Sequence, residues 1–223
     1  MVTHTNLAGT LTDSNFESVV SINGDPEDEI WAIVERVING STVRYVEQFQ
    51  PRDFDNPEDA FFVDCGIAYD STATSTITGL DHLVGQTVYV LADGVEFDTE
   101  VVNGSGEITL SLDDTTTTAS TVQVGLGYEV HLRTMPISLI NSETIQGRQK
   151  RISEVIANWY TSGDFSIGKD TSNLQTFTID GQTTAADRIT FPPGWDRYGY
   201  IYTYQMSPEP LTLLSIIAEF NIQ

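Results

Sequence analysis

Apolar and polar positions alternate in short runs along most of the chain, and Gly, Asn, Asp and Pro punctuate the runs. That pattern predicts strands joined by tight turns. Phe16-Glu17-Ser18-Val19-Val20-Ser21-Ile22 reads as a strand, followed by the turn Asn23-Gly24-Asp25-Pro26 and a second strand from Glu29 to Val37. Asn39-Gly40 is a two-residue hairpin signal, because both residues tolerate positive φ, and Val43 to Phe49 is the third strand. Three antiparallel strands at this spacing fit one blade of a β-propeller or a plain meander. Residues 50–60, with Pro51, Pro57 and a run of acids, form a polar linker.

A second unit reads from Ala60 to about Pro136. Its predicted strands begin at Ser75, at Gln86, at Val95 after the Asp93-Gly94 turn, and at Glu107 after Asn103-Gly104-Ser105-Gly106. These are marks of a small Greek-key or barrel-like module. Asp113-Asp114 followed by four threonines reads as an exposed loop before Val122–Leu126. In the third region the spacing of Ile152, Val155, Ile156 and Trp159 suggests a helix over 148–160, although a twisted strand buried on both faces fits too. Gly199–Met206 and Leu211–Phe220 flank Ser207-Pro208-Glu209-Pro210 and read as a hairpin with a central, apolar second arm.

Charge narrows the function. Asp and Glu number 32 against 10 Lys and Arg, a net charge of −22, and the only lysines are Lys150 and Lys169. Such a surface repels phosphate and disfavours tight nucleic-acid binding. A saline habitat, a conduit that DNA slides past, and plain acidic solubility all accord with it. The acids clustered in predicted loops, Asp25, Glu27, Asp28, Asp53, Asp55, Glu58 and Asp59, are the candidates to face such a conduit. Hydrophobic residues make up 39%, slightly low for a compact globule, which points to surface buried against partners. No apolar run approaches the ~20 residues of a membrane span. The first six residues lack the basic start and apolar core of a signal peptide. Cys65 stands alone, so no internal disulfide is expected, and it reads as a small buried apolar residue.

No catalytic constellation is written in the chain. His4, His82 and His131 are scattered, with no second ligand at zinc-site spacing, and His82 reads as a packed loop residue. Carboxylate pairs at glycosidase separation are expected by chance among 32 acids. Neither Asp113-Asp114 nor Asp25-Pro26-Glu27-Asp28 matches a calcium loop. Asn39-Gly40-Ser41 and Asn103-Gly104-Ser105 fit the glycosylation pattern but serve as turns without a sugar. Against the global charge, Arg148, Lys150 and Arg151 gather three cations in four positions, either an interface patch or a solvated loop end. Trp195, Tyr198, Tyr200, Tyr202 and Tyr204 form an aromatic cluster with period-two spacing from Tyr198 to Tyr204, either a stripe packed against a core or neighbour or a platform offered to a sugar. No enzyme activity and no cofactor are expected.

Taken in order, these segments resemble a known family. Phe16–Val19 through Asp28-Glu29-Ile30-Trp31 to Tyr45-Val46-Glu47 resembles the closing propeller-like segment of podoviral tail nozzle or tail hub proteins. Phe61–Gly66, Gly79–Val88 and Leu91–Gly94 are similar to the module that follows there, often labelled after the FCCH domain of ubiquitin-activating enzymes. Phe191–Arg197 through Glu209–Leu214 resembles the family's C-terminal end. The resemblance runs over most of 16–220 and implies an all-β chain. Its parts would be a propeller-blade-like meander over 1–56, an FCCH-like, barrel-like module over 57–136 and a C-terminal β-hairpin region over 137–223. It also implies that 148–160 is a strand. Family members carry a longer N-terminal part, so either another chain supplies the rest of the propeller or this relative has a different role. The function it implies is a hexameric hub or nozzle in the virion tail, bound to adaptor and fibre or spike proteins, through which DNA passes without specific binding. The reading from another class is a peripheral carbohydrate- or receptor-binding module centred on the Trp195–Tyr204 stripe.

Overall fold

The structure, a computed structural model, describes residues 2–4, 15–24, 27–51, 54–138, 145–179 and 182–223. These residues form strands and two short 3-10 turns, at Pro57–Asp59 and Asp81–Leu83. The all-β expectation holds for them. The chain divides into two compact units, one of Asn6–Tyr128 and one joining Met1–Thr5 to Glu129–Gln223. Strand β1 (Val2–His4) belongs to the latter.

In the 6–128 unit, β2 (Asn15–Ile22), β3 (Glu29–Ile38) and β4 (Ser41–Gln48) form a three-stranded antiparallel meander. Asn39 and Gly40 both take positive φ, so the predicted hairpin turn forms where the pattern places it. Next come β5 (Asp64–Thr74), β6 (Thr76–Ile77), β7 (Thr87–Ala92), β8 (Val95–Val101), β9 (Ile108–Thr109), β10 (Ser111–Leu112), β11 (Thr115–Thr116) and β12 (Ala119–Leu126). Four of them make a sheet in the order β5-β12-β7-β8, and β6–β9 and β10–β11 are two-stranded ribbons. One core holds the unit together. Leu80, Val88, Val90, Val122 and Val124 are fully buried in it, and Ile38, Val43 and Tyr45 of the meander pack against them.

Two expectations fail here. The meander is not a propeller blade: it has three strands instead of about four, and the buried end of its inner face packs on the following module. The module is not a barrel, because no sheet closes or curls strongly. Its β5 and β8 remain opposite edges of four strands, fewer than the roughly five of the smallest closed barrels.

The Asp93-Gly94 turn is also where predicted, with both residues at positive φ. It anchors β12, since Asp93 Oδ1 accepts from Thr121 N at 2.9 Å and from Ser120 N and Oγ at 3.1 Å. Slight burial acts to raise its pKa, but these donors outweigh it and hold the carboxyl below the usual carboxylate range. A depressed folded value gives stability that is present above the unfolded pKa and lost as pH falls through the folded one. Asp93→Asn is therefore expected to lower the melting temperature at pH 7 and to flatten its fall on acidification. Parallel melting curves for both proteins from pH 7 to pH 3 would contradict this.

The other unit adds β13 (Val130–Arg133), β14 (Lys150–Ser162), β15 (Phe165–Asp170), β16 (Asn173–Phe177), β17 (Thr183–Thr190), β18 (Tyr202–Gln205) and β19 (Leu213–Ile222). They form two sheets, β1-β13-β18-β15-β16 and β17-β14-β19. Trp159, Phe165 and Phe177 meet between them, with ring centroids 4.9–5.6 Å apart, in a core that includes Val155, Ala157 and Ile167.

Residues 150–162 are a strand, and its helical spacing has a local cause. The pairing of β14 with β19 shifts by one residue between Ile152 and Glu154. Ile152 and Val155 are thereby both buried although three apart, after which Val155, Ala157 and Trp159 alternate as a strand should. The C-terminal hairpin is a further correction. β18 and β19 lie in different sheets, and β19 is an edge beside the central β14. Buried Pro208, Glu209 and Pro210 carry the chain across, and Glu209 Oε2 accepts from Asp164 N at 3.0 Å.

Candidate assembly surfaces

Among the loop acids, Glu27, Asp28, Asp55, Glu58 and Asp59 are exposed, while Asp25 and Asp53 lie outside the described residues. Glu58 and Asp59 sit in the first 3-10 turn, where Asn56 Nδ2 donates to Asp59 Oδ2 at 3.0 Å. The proline at its start and the acids near its N-terminus suit the orphan amides there.

The three clustered cations separate. Arg148 and Arg151 are exposed, but Lys150 is buried and donates to the carbonyls of Arg197 at 2.6 Å and Arg148 at 3.3 Å. Its main chain bridges Asp196. The Lys150 ammonium thus fastens the 196–199 loop inside its own unit, leaving the two arginines on the surface.

The aromatic stripe is largely occupied by itself. Tyr198 and Tyr200 stack at 5.2 Å, and the Arg133 guanidinium lies 4.8 Å from the Tyr200 centroid and 6.0 Å from that of Tyr202. Tyr204 packs on His131 at 5.1 Å. Trp195 and Tyr198 are the exposed members. Thr203 and Gln205 are buried between and beyond the tyrosines, so Tyr202 and Tyr204 share one face of β18, whereas Tyr198 and Tyr200 lie before the strand begins.

The largest apolar surface lies elsewhere. β3 is buried on one face at Val34, Arg36 and Ile38, whereas its first residues project past the core. By register, Phe16, Val19, Ile30 and Phe49 share that face, and Val20, Ile22, Ile33 and Val46 share the other. All eight are exposed, by 39–69%. Phe16 and Phe49 stack at 5.9 Å. The signal was present in the sequence, because Val19 and Val20 are adjacent and must point to opposite faces. The exposed Tyr160 and, on the edge strand β19, Leu214 and Ile217 give the other unit a smaller surface of the same kind.

Behind the overhang, Arg36 binds the meander to the module. It is wholly buried and donates to both oxygens of Glu47, at 2.7 Å each, and to both of Asp64, at 2.9 and 3.2 Å. Burial alone would lower its pKa, but the two carboxylates outweigh that and hold the guanidinium charged. Nearby, burial pushes the Cys65 thiol up to about 12, which leaves it unreactive. On the outer face Arg44 pairs with Glu17 and Glu35 across the three strands. Asn39 ties the hairpin tip to the module, donating to Val84 O at 2.6 Å and accepting from Gln86 Nε2 at 2.5 Å.

His82 Nε2 contacts Cys65 O at 3.0 Å, and its ring packs edge-on against Tyr45 at 5.8 Å. Among the described residues no group of three or more His, Cys, Asp or Glu is placed to hold a metal ion, and no helix is long and apolar enough to cross a membrane. Comparison of the chain with models of known protein families finds no match, and comparison with curated protein sequences finds none.

Proposed function

We propose that this chain is a structural subunit that assembles with copies of itself, as a hub or nozzle component in the tail of a short-tailed bacteriophage. The observation that carries the proposal is the overhanging β2-β3-β4 sheet, apolar on both faces at its exposed end. Isolated monomers rarely leave such a surface open, and burial against a neighbour is its ordinary use. The segments that resemble tail nozzle proteins, over most of residues 16–220, suggest the setting: a ring that holds adaptor and fibre or spike proteins. Its work is mechanical, with rigid sheets forming a wall and acids keeping DNA mobile. Purified virions of the source phage provide the test. The chain should be present in a copy number that is a multiple of the ring symmetry, and its absence from the particle defeats the proposal.

The conduit role adds a prediction about charge. Duplex DNA carries about one negative charge per 1.7 Å of axis, so a basic wall would hold it. Repulsion reaches only about 8 Å at physiological salt, so the acids that matter project into the passage. Replacing exposed Asp55, Glu58 and Asp59 together with Lys is expected to slow DNA ejection several-fold at low salt. Unchanged ejection, with the three lysines located in the lumen, would count against the conduit.

A sugar-binding module is the second reading, favoured by exposed Trp195 and Tyr198 at one end of the aromatic stripe. It is the weaker of the two because Tyr200 and Tyr202 already carry Arg133 against their rings. Trp195→Ala and Tyr198→Ala should abolish binding to a host polysaccharide if this reading holds, and should leave assembly intact.

A further inference from the structure

We propose that the free edge of β2 joins two copies of this chain, which pair antiparallel along Ser18–Ile22 and fuse two three-stranded sheets into one continuous sheet. The inference rests on the assembly reading above and names its interface.

β2 is the outer strand of the order β2-β3-β4, and all eight of its residues are exposed. Among the described residues no other strand joins that edge, so half of its main-chain N–H and C=O groups face outward. Natural edges of this kind are guarded by Lys, Pro, an inward charge or a bulge. Ser18-Val19-Val20-Ser21-Ile22 contains none of these, and the one irregularity in its pairing with β3 ends at Ser18. The opposite edge differs: β4 carries Arg44 and Glu47.

The occupant follows from charge. A chain of net charge −22 repels its own copies over most of its surface, so copies meet where carboxylates are absent. Two β2 strands related by a two-fold axis at Val20 place Val20 opposite Val20 of the partner subunit. Val19 then faces Ser21 of the partner subunit, and Ser18 faces Ile22 of the partner subunit. In that register the only acid of the strand, Glu17, meets Asn23 of the partner subunit, so no carboxylates oppose. The pairing extends the apolar rows of both faces across the join. A partner with a basic strand would find no acid on Ser18–Ile22 to answer it, which is why a second copy fits better.

The test uses the full chain and two variants, Val20→Lys and Val20→Cys. Native mass spectrometry should show dimers or larger even-numbered species for the parent. Val20→Lys sets two ammonium groups against each other and should reduce it to a folded monomer whose melting temperature no longer depends on concentration. Val20→Cys should form a disulfide-linked dimer under mild oxidation, since half-buried Cys65, its thiol pushed up to about 12, does not compete. An oligomeric parent whose Val20→Lys variant stays oligomeric, or whose Val20→Cys variant does not cross-link, overturns the β2 interface and leaves the assembly reading standing. A parent that is monomeric at high concentration overturns both. If Val20→Lys fails to fold, the cross-link alone decides.

Discussion

Arg36→Met is expected to destabilise the 6–128 unit by about 3–5 kcal/mol, the cost of removing one member of a buried ion network. The side chain is fully buried between Glu47 and Asp64, whose side chains are each 19% exposed. Without the guanidinium the two carboxylates face each other with little water to separate them. On the usual scale of about 2–4 °C per kcal/mol, the melting temperature of that unit should fall by roughly 10 °C or more. Replacing Arg36, Glu47 and Asp64 together with apolar residues should recover most of the loss, because the penalty lies in the uncompensated charge. A single-variant loss below about 1 kcal/mol would mean that water reaches these carboxylates freely and that the network does not hold the meander to the module.

Deleting Pro210–Gln223 is expected to prevent folding of the unit that contains β13–β19. β19 is an edge strand, yet it pairs along most of β14, from Lys150 opposite Ile222 to Trp159 opposite Leu213. Leu211, Leu213, Ile216, Ala218 and Phe220 also close the core around Trp159 and Phe165. At about 25 cal/mol per Å², losing their burial removes on the order of 5 kcal/mol, comparable to the whole stability of many domains. The deletion also strips the partner from central β14, whose bare edge then invites aggregation. The 6–128 unit has a core of its own, so calorimetry should show one surviving transition. A shortened protein with both transitions intact would show that β19 is dispensable.

Much of the fold is legible because local rules govern it. Val95–Val101 is a strand at its predicted limits, and Asn39-Gly40 and Asp93-Gly94 turn the chain because their φ values demand such residues. Pairing at long range is not legible in the same way. Tyr202–Gln205 and Leu213–Ile222 look like a hairpin because they are close in sequence and both extended. Their partners, β13 and β15 for one and β14 for the other, are chosen by which face each must bury. The one-residue shift at Ile152–Glu154 made a strand resemble a helix, since a bulge changes a spacing of two into three.

The candidate surfaces divide along the same line. The exposed acids at 27–28 and 55–59 follow from local composition. The Arg36 network does not, because Asp64 is 28 residues away and nothing between them announces the contact. Lys150 shows the converse: a basic run in the sequence separates once β14 turns alternate residues to opposite sides. The doubly apolar β2 was readable from adjacent Val19 and Val20, but its meaning depends on learning that the strand lies at an edge.

The central claim is that the chain works by associating with itself. Native mass spectrometry of the full-length protein, taken through a concentration series at physiological salt, tests it most directly. The account predicts a defined homo-oligomer that persists on dilution into the low micromolar range and loses its order when the β2 edge carries a charge. A single monomeric species across the whole series, folded and stable, would contradict it.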